Sequence, residues 1–412
     1  MKRFFLLIAF LSLFSFSFSQ ESGCTDVHAS NYNTEAQKND GSCVYDALVL
    51  QPQILIKKLP ASIDETSGII LFNNGIWTHN DSGGEAAIYK FDTQTGKILQ
   101  TISLENASNY DIEDITQDDE YIFVGDFGNN YGTRKDLHIY KIAKADIPKT
   151  GDASISCEII SFSYNDQTVF KKKNRKNDHD CEAIASIGDY LYIFSKNWAN
   201  EESKFYKIPK TPGNYQLDIQ DQFNVRGLIT GADYRADIHT LILVGYENFV
   251  PFVWVMWDFK DDQLFKGNNR RADFAYIQGA QTEGICFLDK EHILISSENS
   301  FYPPQLYQIK LDEIIAPTST EKYQVFKITV HQQQTDGKEQ NADISIKGLQ
   351  TAYFDIEIYN VRWEKVAQYG FQEKNFQNET KVILPTSSLK RGVYFIRVKQ
   401  GKNVGFQKLM IR

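Results

Sequence analysis

The middle of the chain repeats a short motif in which a polar residue precedes an apolar run. In the three clearest copies a glutamate stands two residues before an isoleucine: Asp111–Thr116, Asp180–Ala185 and Gln281–Cys286. Two weaker copies, Thr66–Ile70 and Thr230–Asp233, lie in the gaps. An internal repeat restricts the possible folds more than any local signal.

Each copy is followed by the same series of elements. A turn, a second apolar run, a polar loop and a third run come next, and a looser fourth run precedes the following copy. Four antiparallel strands in a unit of about fifty residues are typical of a β-propeller, and a β-sandwich need not repeat so regularly. We therefore predict an all-β fold with a five-bladed propeller over residues 47–315, or a six-bladed one if residues 143–179 hide another blade.

The fifth copy has no fourth strand after Leu311, and residues 53–57 near the start of the propeller belong to no copy. We predict that this early run closes the ring as the missing outer strand.

The polar loops carry a signature that stands at residues 79–83, 113–114, 125–130 and 182–183. In these residues the segment resembles exported propellers that are grouped with phytase-like and NHL-like repeats. The resemblance implies a fold and leaves the activity open, because one fold serves many functions.

The chain begins with Met1-Lys2-Arg3 and an apolar run over residues 4–18. A basic start and a short apolar run predict a secretory signal peptide over residues 1–19. The alternative is a membrane anchor, but the run is short for a span, and we expect no other transmembrane segment. The mature protein is then extracytoplasmic, where disulfides persist.

Residues 20–46 are polar and too few to form a core, so Cys24 and Cys43 are predicted to form a disulfide. The segment resembles a small cysteine module of exported Bacteroidetes proteins. Its side chains Asp26, Asn31, Asn33 and Asp40 suit Ca²⁺, but hydrogen bonds to their own loop are the favoured interpretation. Three cysteines remain, for which buried thiols are expected and a second bridge stays open: Cys157, Cys181 and Cys286.

After a predicted linker over residues 316–329, residues 330–412 alternate apolar and polar side chains. The alternation predicts a small β-sandwich. Residues 355–361, 388–398 and 408–412 resemble the type A C-terminal sorting domain of the type IX secretion system, although Trp363-Glu364 replaces a usual glycine turn. The resemblance implies that the type IX machinery is a partner, and that export is followed by release or surface attachment.

The net charge of −9 excludes a nucleic-acid partner, because phosphate binding needs a basic surface. Aromatic residues make up 13% of the chain, which favours strands over helices.

Acidic residues recur at positions that a propeller brings to one face. Glu113, Glu182 and Glu283 begin innermost strands and should point at the central opening, with Asp180 beside them. We predict that these four bind Ca²⁺, which takes six to eight carboxylate or amide oxygens. Residues of the neighbouring loops are predicted to bind a ligand: Asp81, Asp126, Asn197, Glu247, Glu298 and His179. The alternative is that all of them hydrogen-bond nearby loop backbone.

Lys171–Lys176 is a basic segment just before His179. It could hold a phosphate next to the metal, with His179 transferring a proton. A solvated mobile loop is the favoured alternative. Loop aromatics suit stacking on sugar rings or packing between blades: Trp198, Tyr246, Phe249, Phe301 and Tyr302.

The sequence thus predicts a secreted or cell-surface propeller that binds an unknown glycan or protein on an acidic, Ca²⁺-loaded face. The alternatives are a Ca²⁺-dependent phytase-like phosphoesterase and a structural surface protein. The enzyme needs both the glutamates and the basic segment, whereas the binding protein needs the glutamates and the aromatics.

Overall fold

The structure is a computed structural model that describes residues 21–173, 175–317, 327–333, 341–349, 351–360, 364–372, 379–401 and 403–411. The predicted signal peptide and most of the predicted linker lie outside the described residues. No helix in these ranges is long and apolar enough to cross a membrane.

Five antiparallel sheets form the blades of a propeller. Blade 1 consists of Thr66–Phe72, Gly75–Asn80, Ala87–Phe91 and Ile98–Leu104. Blade 2 consists of Ile112–Gln117, Tyr121–Asp126, Leu137–Ala143 and Glu158–Tyr164. Blade 3 consists of Cys181–Ile187, Tyr190–Ser195, Glu202–Pro209 and Ile219–Asn224. Blade 4 consists of Leu228–Arg235, Thr240–Glu247, Val250–Trp257 and Asn268–Asp273.

Blade 5 consists of Gln281–Phe287, His292–Glu298, Gln305–Lys310 and, outermost, Gln53–Ile56. The last strand pairs with Gln305–Lys310 in antiparallel orientation, so the early run closes the ring as predicted. The innermost strands contact one another in the order of blades 1 to 5 and back to 1.

Residues 143–173 and 175–179 contain no sixth blade. Their strand Ala153–Ile155 adds to the edge of blade 1, while Glu158–Tyr164 is the outermost strand of blade 2. Gly213–Leu217 and Leu48–Val49 add to blades 2 and 4 in the same parallel manner.

The core of the propeller lies between the blades. Five buried apolar clusters each join two neighbouring blades. Trp77 and Tyr140, for example, are buried between blades 1 and 2. Removing these faces from water holds adjacent blades together, since burial contributes about 25 cal/mol per Å² of apolar surface.

Short elements connect and precede the blades. Ser22–Gly23 pairs with Lys38–Asn39. Single turns of 3₁₀ helix are Ala61–Ile63, Lys144–Asp146, Ala236–Ile238, Leu264–Lys266 and Ala275–Ile277, and the α-helix Asp312–Ile315 follows blade 5.

The amino-terminal segment is joined by the Cys24–Cys43 disulfide, the pairing predicted from the sequence. Its polar side chains bond their own loop: Asp26 accepts from the His28 amide, Asn33 from that of Glu35 and Asp40 from that of Ser42. Asn31 accepts from the Val44 amide. Cys157, Cys181 and Cys286 are buried thiols, as expected.

Two sheets with a shared core form the carboxyl-terminal region. One contains Lys327–Gln333, Asn341–Lys347 and Glu379–Pro385, and the other contains Tyr353–Asn360, Lys365–Gln372, Gly392–Gln400 and Asn403–Ile411. Side chains of both, such as Ile344 and Ile356, lie in one apolar cluster, so the region is a small β-sandwich. Its first strand begins at Lys327, inside the range predicted as linker.

Candidate functional site

Every innermost strand has a β-bulge at its start. The pairing with the second strand skips one or two residues in each blade, and the repeat motif lies at that place. The first skipped residues are Ser67, Glu113, Glu182, Thr230 and Glu283. A bulge takes a residue out of the ladder and re-aims its side chain, so the repeat encodes five inward-directed positions on one face. We call this face the upper face.

In blades 1 and 4 the position holds a hydroxyl that serves the backbone. Ser67 Oγ donates to the Glu113 carbonyl at 2.6 Å, and Thr230 Oγ1 donates to the Thr282 carbonyl at 2.8 Å. Blades 2, 3 and 5 have glutamates there, and all three are buried.

The glutamates belong to a cluster of seven acidic residues that we call the rim, of which four are buried and three, Asp81, Asp111 and Glu298, are partly exposed. It comprises Glu113, Glu182, Glu283, Asp81, Asp111, Asp180 and Glu298. Two sets of three carboxylates have ligand atoms within 4.8 Å of one another: Asp81, Asp111 and Glu113, and Glu113, Asp180 and Glu182. Glu113 is common to both sets.

A close backbone approach makes the first set possible. A methyl group at Gly128 would lie 2.1 Å from Glu113 Oε1 and 2.5 Å from Asp111 Oδ2. Glycine is therefore required between these two carboxylates.

The protein itself satisfies much of the second set. Lys196 Nζ lies 3.0 Å from Glu182 Oε2. Asp180 accepts hydrogen bonds from the Asn129 amide at 2.5 Å and from Trp198 Nε1 at 2.6 Å. In the first set, by contrast, we find no hydrogen-bond donor to the Asp111 carboxylate among the described residues, and Asp81 accepts from the adjacent Ser82 amide.

Burial and mutual repulsion raise the pKa of the rim carboxyls. Burial, then Asp81 and Asp180, raise the pKa of Asp111 to about 7. Burial and Glu182 raise that of Asp180 to about 8. Burial raises the pKa of Glu182 to about 7 against the opposing effect of Lys196, and the pKa of Glu113 lies well above its usual range. Like charges this close cannot all ionise without a cation.

Blade 5 adds two further rim carboxylates. Glu283 is buried, and its Oε2 has no hydrogen-bond partner among the residues that the structure describes. Burial and Glu283 raise the pKa of Glu298 well above its usual value. A buried polar atom without a partner costs about 1–3 kcal/mol, so this oxygen fits a cation better than it fits the bare protein.

Three predicted ligand residues lie in contacts of their own. Asp126 forms an ion pair with buried Arg134 at 2.9 Å, and Glu247 pairs with Arg271 at 2.7 Å. Asn197 accepts hydrogen bonds from the amides of its own loop, at Ala199 and Asn200.

His179 belongs to a separate cluster beside the rim. Its ring nitrogens lie 3.1 Å from Asp166 and from Asp178, and Lys204 bridges the same two carboxylates. Burial lowers the pKa of His179, but the two aspartates outweigh it and hold that pKa above the usual value. The cluster anchors the segment before blade 3, and this histidine has aspartate partners on both nitrogens.

The loop aromatics divide into two groups. Trp198 and Tyr246 lie in the rim, with Lys196 Nζ 5.2 Å and 5.4 Å from their ring centroids. Phe249 packs on Phe395, and Phe301 on Phe406, both in the carboxyl-terminal sandwich. Both phenylalanines are partly buried, and each packs on a side chain of the sandwich.

Two further acidic residues, Asp114 and Asp233, belong to the innermost strands of blades 2 and 4, and we call them the waist. Asp114 accepts hydrogen bonds from the amides of Ile115, Ile184 and Ala232, in blades 2, 3 and 4. Asp233 accepts from Tyr234 and from Phe287 of blade 5. The waist ties the innermost strands of blades 2 to 5 together through carboxylate–amide hydrogen bonds.

Sequence reasoning missed the role of two residues. Lys196 supplies a built-in cation, although it stood in a predicted polar loop. Asp81 was predicted only as a ligand-binding loop residue, but its carboxylate lies with those of Asp111 and Glu113 in the first set. The signal that could have pointed to Lys196 is physical: carboxylates that lie close together repel one another and need a cation beside them.

Comparison with known proteins identifies one region of the chain. Residues 338–412 match the family described as the secretion system C-terminal sorting domain. No curated protein matches the chain.

Solved structures give distant likenesses only. An exo-β-1,3-galactanase from Phanerochaete chrysosporium has 10% identity and a TM-score of 0.41, covering 88% of this chain and 100% of the galactanase. A putative 6-phosphogluconolactonase from Bacteroides uniformis has 11% identity and a TM-score of 0.33, covering 86% and 88%. At these TM-scores neither bears on what the chain binds.

The sorting domain implies passage through the type IX machinery. The chain is therefore a secreted or cell-surface protein that joins a five-bladed β-propeller to a type IX secretion system sorting domain.

Proposed function

We propose that the propeller binds Ca²⁺ through Asp81, Asp111 and Glu113 and presents it to an extracellular glycan or protein ligand. The observation that carries this proposal is that these three carboxylates converge within 4.8 Å of one another and that two of them, Asp81 and Asp111, line an open cavity. Glu182 and Asp180, in contrast, have Lys196, Asn129 and Trp198 as partners.

The donor chemistry fits Ca²⁺. The rim offers hard carboxylate oxygens, which suit Ca²⁺ better than zinc, whose protein sites usually include histidine or cysteine ligands. His79 is used elsewhere, because its Nε2 accepts from the Gly68 amide and its Nδ1 donates to the Asn80 carbonyl. Three side chains leave part of a coordination sphere of six to eight oxygens for ligand or water.

When bound, the ion would neutralise the first set and polarise a ligand oxygen. The chain's own residues do the rest: Gly128 allows Asp111 and Glu113 to approach, Lys196 balances Glu182, and Trp198 holds Asp180.

The test is calorimetric titration of the mature chain, here residues 20–412 without the predicted signal peptide, with Ca²⁺ at pH 8. We expect Glu113→Gln to weaken binding at least a hundredfold. Glu247→Gln is the matched control, since Glu247 pairs with Arg271 outside the rim, and it should stay within twofold of wild type. Absence of binding in the wild type would refute the proposal and favour a structural surface protein.

Proton release gives a second readout. Burial and neighbouring acids raise the pKa of Asp111 to about 7 and that of Glu113 well above its usual range, so Ca²⁺ must displace protons near neutral pH. Affinity should rise from pH 6 to pH 8, and the apparent enthalpy at pH 7 should change with the ionisation enthalpy of the buffer.

A Ca²⁺-dependent phosphoesterase is the second candidate, favoured by one observation: Arg175 of the basic segment lines the same cavity as Asp81 and Asp111. A phosphate could then contact metal and guanidinium together. The proton-transfer role of His179 finds less support, because Asp166 and Asp178 flank its ring. Release of phosphate from sugar phosphates that requires Ca²⁺ and is lost in Glu113→Gln would favour the enzyme.

A further inference from the structure

A cavity of about 570 Å³ opens on the upper face beside the first carboxylate set. Its wall combines acidic, basic and aromatic side chains: Asp81, Asp111, Tyr110, Tyr131, Arg134 and Arg175. The cavity is large enough for a sugar ring together with its substituents.

Acidic and basic side chains both line this cavity, but among the described residues they form no ion pair with one another. Among the described residues, Arg175 forms no ion pair, although Asp81 and Asp111 lie in the same wall. Arg134 is already paired with Asp126. One guanidinium therefore faces carboxylates across a gap, and an anion next to a carboxylate-bound cation would contact both.

The segment that carries Arg175 is anchored on the loop after blade 2's second strand. The Arg175 amide donates to the Asn130 carbonyl at 3.0 Å, and the Lys173 amide donates to the Tyr131 carbonyl at 2.9 Å. The Arg175 guanidinium lies 5.2 Å from the Trp198 ring centroid. These contacts place the charge at the cavity.

Two tyrosines offer exposed rings at the same cavity. Tyr110 is 62% exposed and Tyr131 is 46% exposed. Arg134 lies over the Tyr110 ring at 4.5 Å and Lys172 over the Tyr131 ring at 4.1 Å, and such cation–π contacts steady an exposed ring. A steady phenol presents a flat apolar surface with a polar edge, which matches the C–H face and hydroxyl edge of a sugar.

We propose that this cavity binds a uronic acid residue of an acidic polysaccharide. This ligand assignment rests on the Ca²⁺ site proposed above. The carboxylate lies between the ion and Arg175, and the ring lies against Tyr110 and Tyr131. A carboxylate matches the planar fork of one guanidinium and can accept two hydrogen bonds from it. A phosphate dianion carries more negative charge, so the acidic rim repels it more strongly. Nearby cations are already engaged, Lys196 by Glu182 and Lys204 by Asp166 and Asp178.

The test is calorimetric titration of the mature chain with trigalacturonic acid, at equal free Ca²⁺ in cell and syringe. Galactotriose and glucose 6-phosphate serve as the neutral and phosphate probes. We expect trigalacturonate to bind at least tenfold more tightly than either, and EDTA to abolish its binding.

Variants locate the binding. Arg175→Gln and Tyr131→Ala should each weaken trigalacturonate binding tenfold or more. Lys171→Gln removes one charge from the same segment outside the cavity and should stay within twofold of wild type. Ca²⁺ affinity should be unchanged in all three, which shows that the variants are folded.

The outcomes separate the two proposals. Ca²⁺ binding without trigalacturonate binding, equal binding of the neutral probe, or no effect of Arg175→Gln overturns the ligand assignment and leaves the metal site intact. Preference for glucose 6-phosphate overturns it in favour of the phosphoesterase. Absence of Ca²⁺ binding overturns both proposals.

Discussion

Glu113 and Asp114 are neighbours in one strand, yet their carboxylates have opposite environments. Asp114, in the waist, accepts three backbone amides from blades 2, 3 and 4. Glu113, in the rim, faces Glu182, Asp81, Asp111 and Asp180, all of which raise its pKa further after burial has done so. The bulge between them separates a carboxylate that the fold satisfies from one that an added cation would satisfy.

The difference shows how to distinguish structural acids from site acids. Some buried carboxylates accept hydrogen bonds from backbone amides that strand pairing leaves without an acceptor. Removing such a carboxylate leaves those amides unpaired. A buried carboxylate among others of its kind costs free energy unless it is protonated or bound to a cation.

The largest effect is expected from Asp114→Ala. It leaves the amides of Ile115, Ile184 and Ala232 without their acceptor, and we expect a loss of about 3–5 kcal/mol in the free energy of unfolding. Urea denaturation in EDTA measures it. Asp233→Ala removes an acceptor from two amides and should cost less. A loss below that of Asp233→Ala would contradict the role of the waist.

A smaller, pH-dependent effect is expected from Lys196→Gln. The variant removes the cation that faces Glu182, so at pH 8 we expect a loss of about 2–3 kcal/mol in unfolding free energy. At pH 5 Glu182 is protonated, because its pKa is about 7, and the loss should be much smaller. Thermal denaturation at both pH values measures the difference. Equal losses would show that the lysine acts by packing alone.

The smallest expected effect is the change of Tm with pH and with added Ca²⁺ in the unmodified chain. The folded pKa is about 7 for Asp111 and about 8 for Asp180, against a usual value of 3.8. The folded state then holds protons that the unfolded chain releases, so the stability that these two groups contribute is fully present below their usual pKa and is lost as pH rises from there to 7–8. We expect Tm in EDTA to drop by a few degrees between pH 5.5 and 8.5, and Ca²⁺ to restore it.

Glu113→Gln gives the matched comparison for that pH dependence. It removes one acid from both carboxylate sets and should flatten the fall of Tm in EDTA. It should also abolish the rise with Ca²⁺. A Ca²⁺ effect that persists in this variant would place the ion away from the rim.

The sequence by itself determined the propeller, because the repeat of strands and turns is local and each unit needs neighbours to bury its faces. It also determined the closing strand, the disulfide and the sorting domain. The recurrence of glutamate at Glu113, Glu182 and Glu283 located the inner end of the site, since equivalent repeat positions meet around the axis.

Only the tertiary structure decided which acidic side chains are paired with a basic side chain. Asp126 and Glu247 occupy loop positions like that of Asp81, but Arg134 and Arg271 reach them from elsewhere in their blades. Lys196 reaches the rim, and Arg175 reaches the cavity, through folded loops that no periodicity describes. Charge pairing depends on distances of a few ångströms between residues far apart in sequence, so strand patterns reveal the positions of these acids but not their partners.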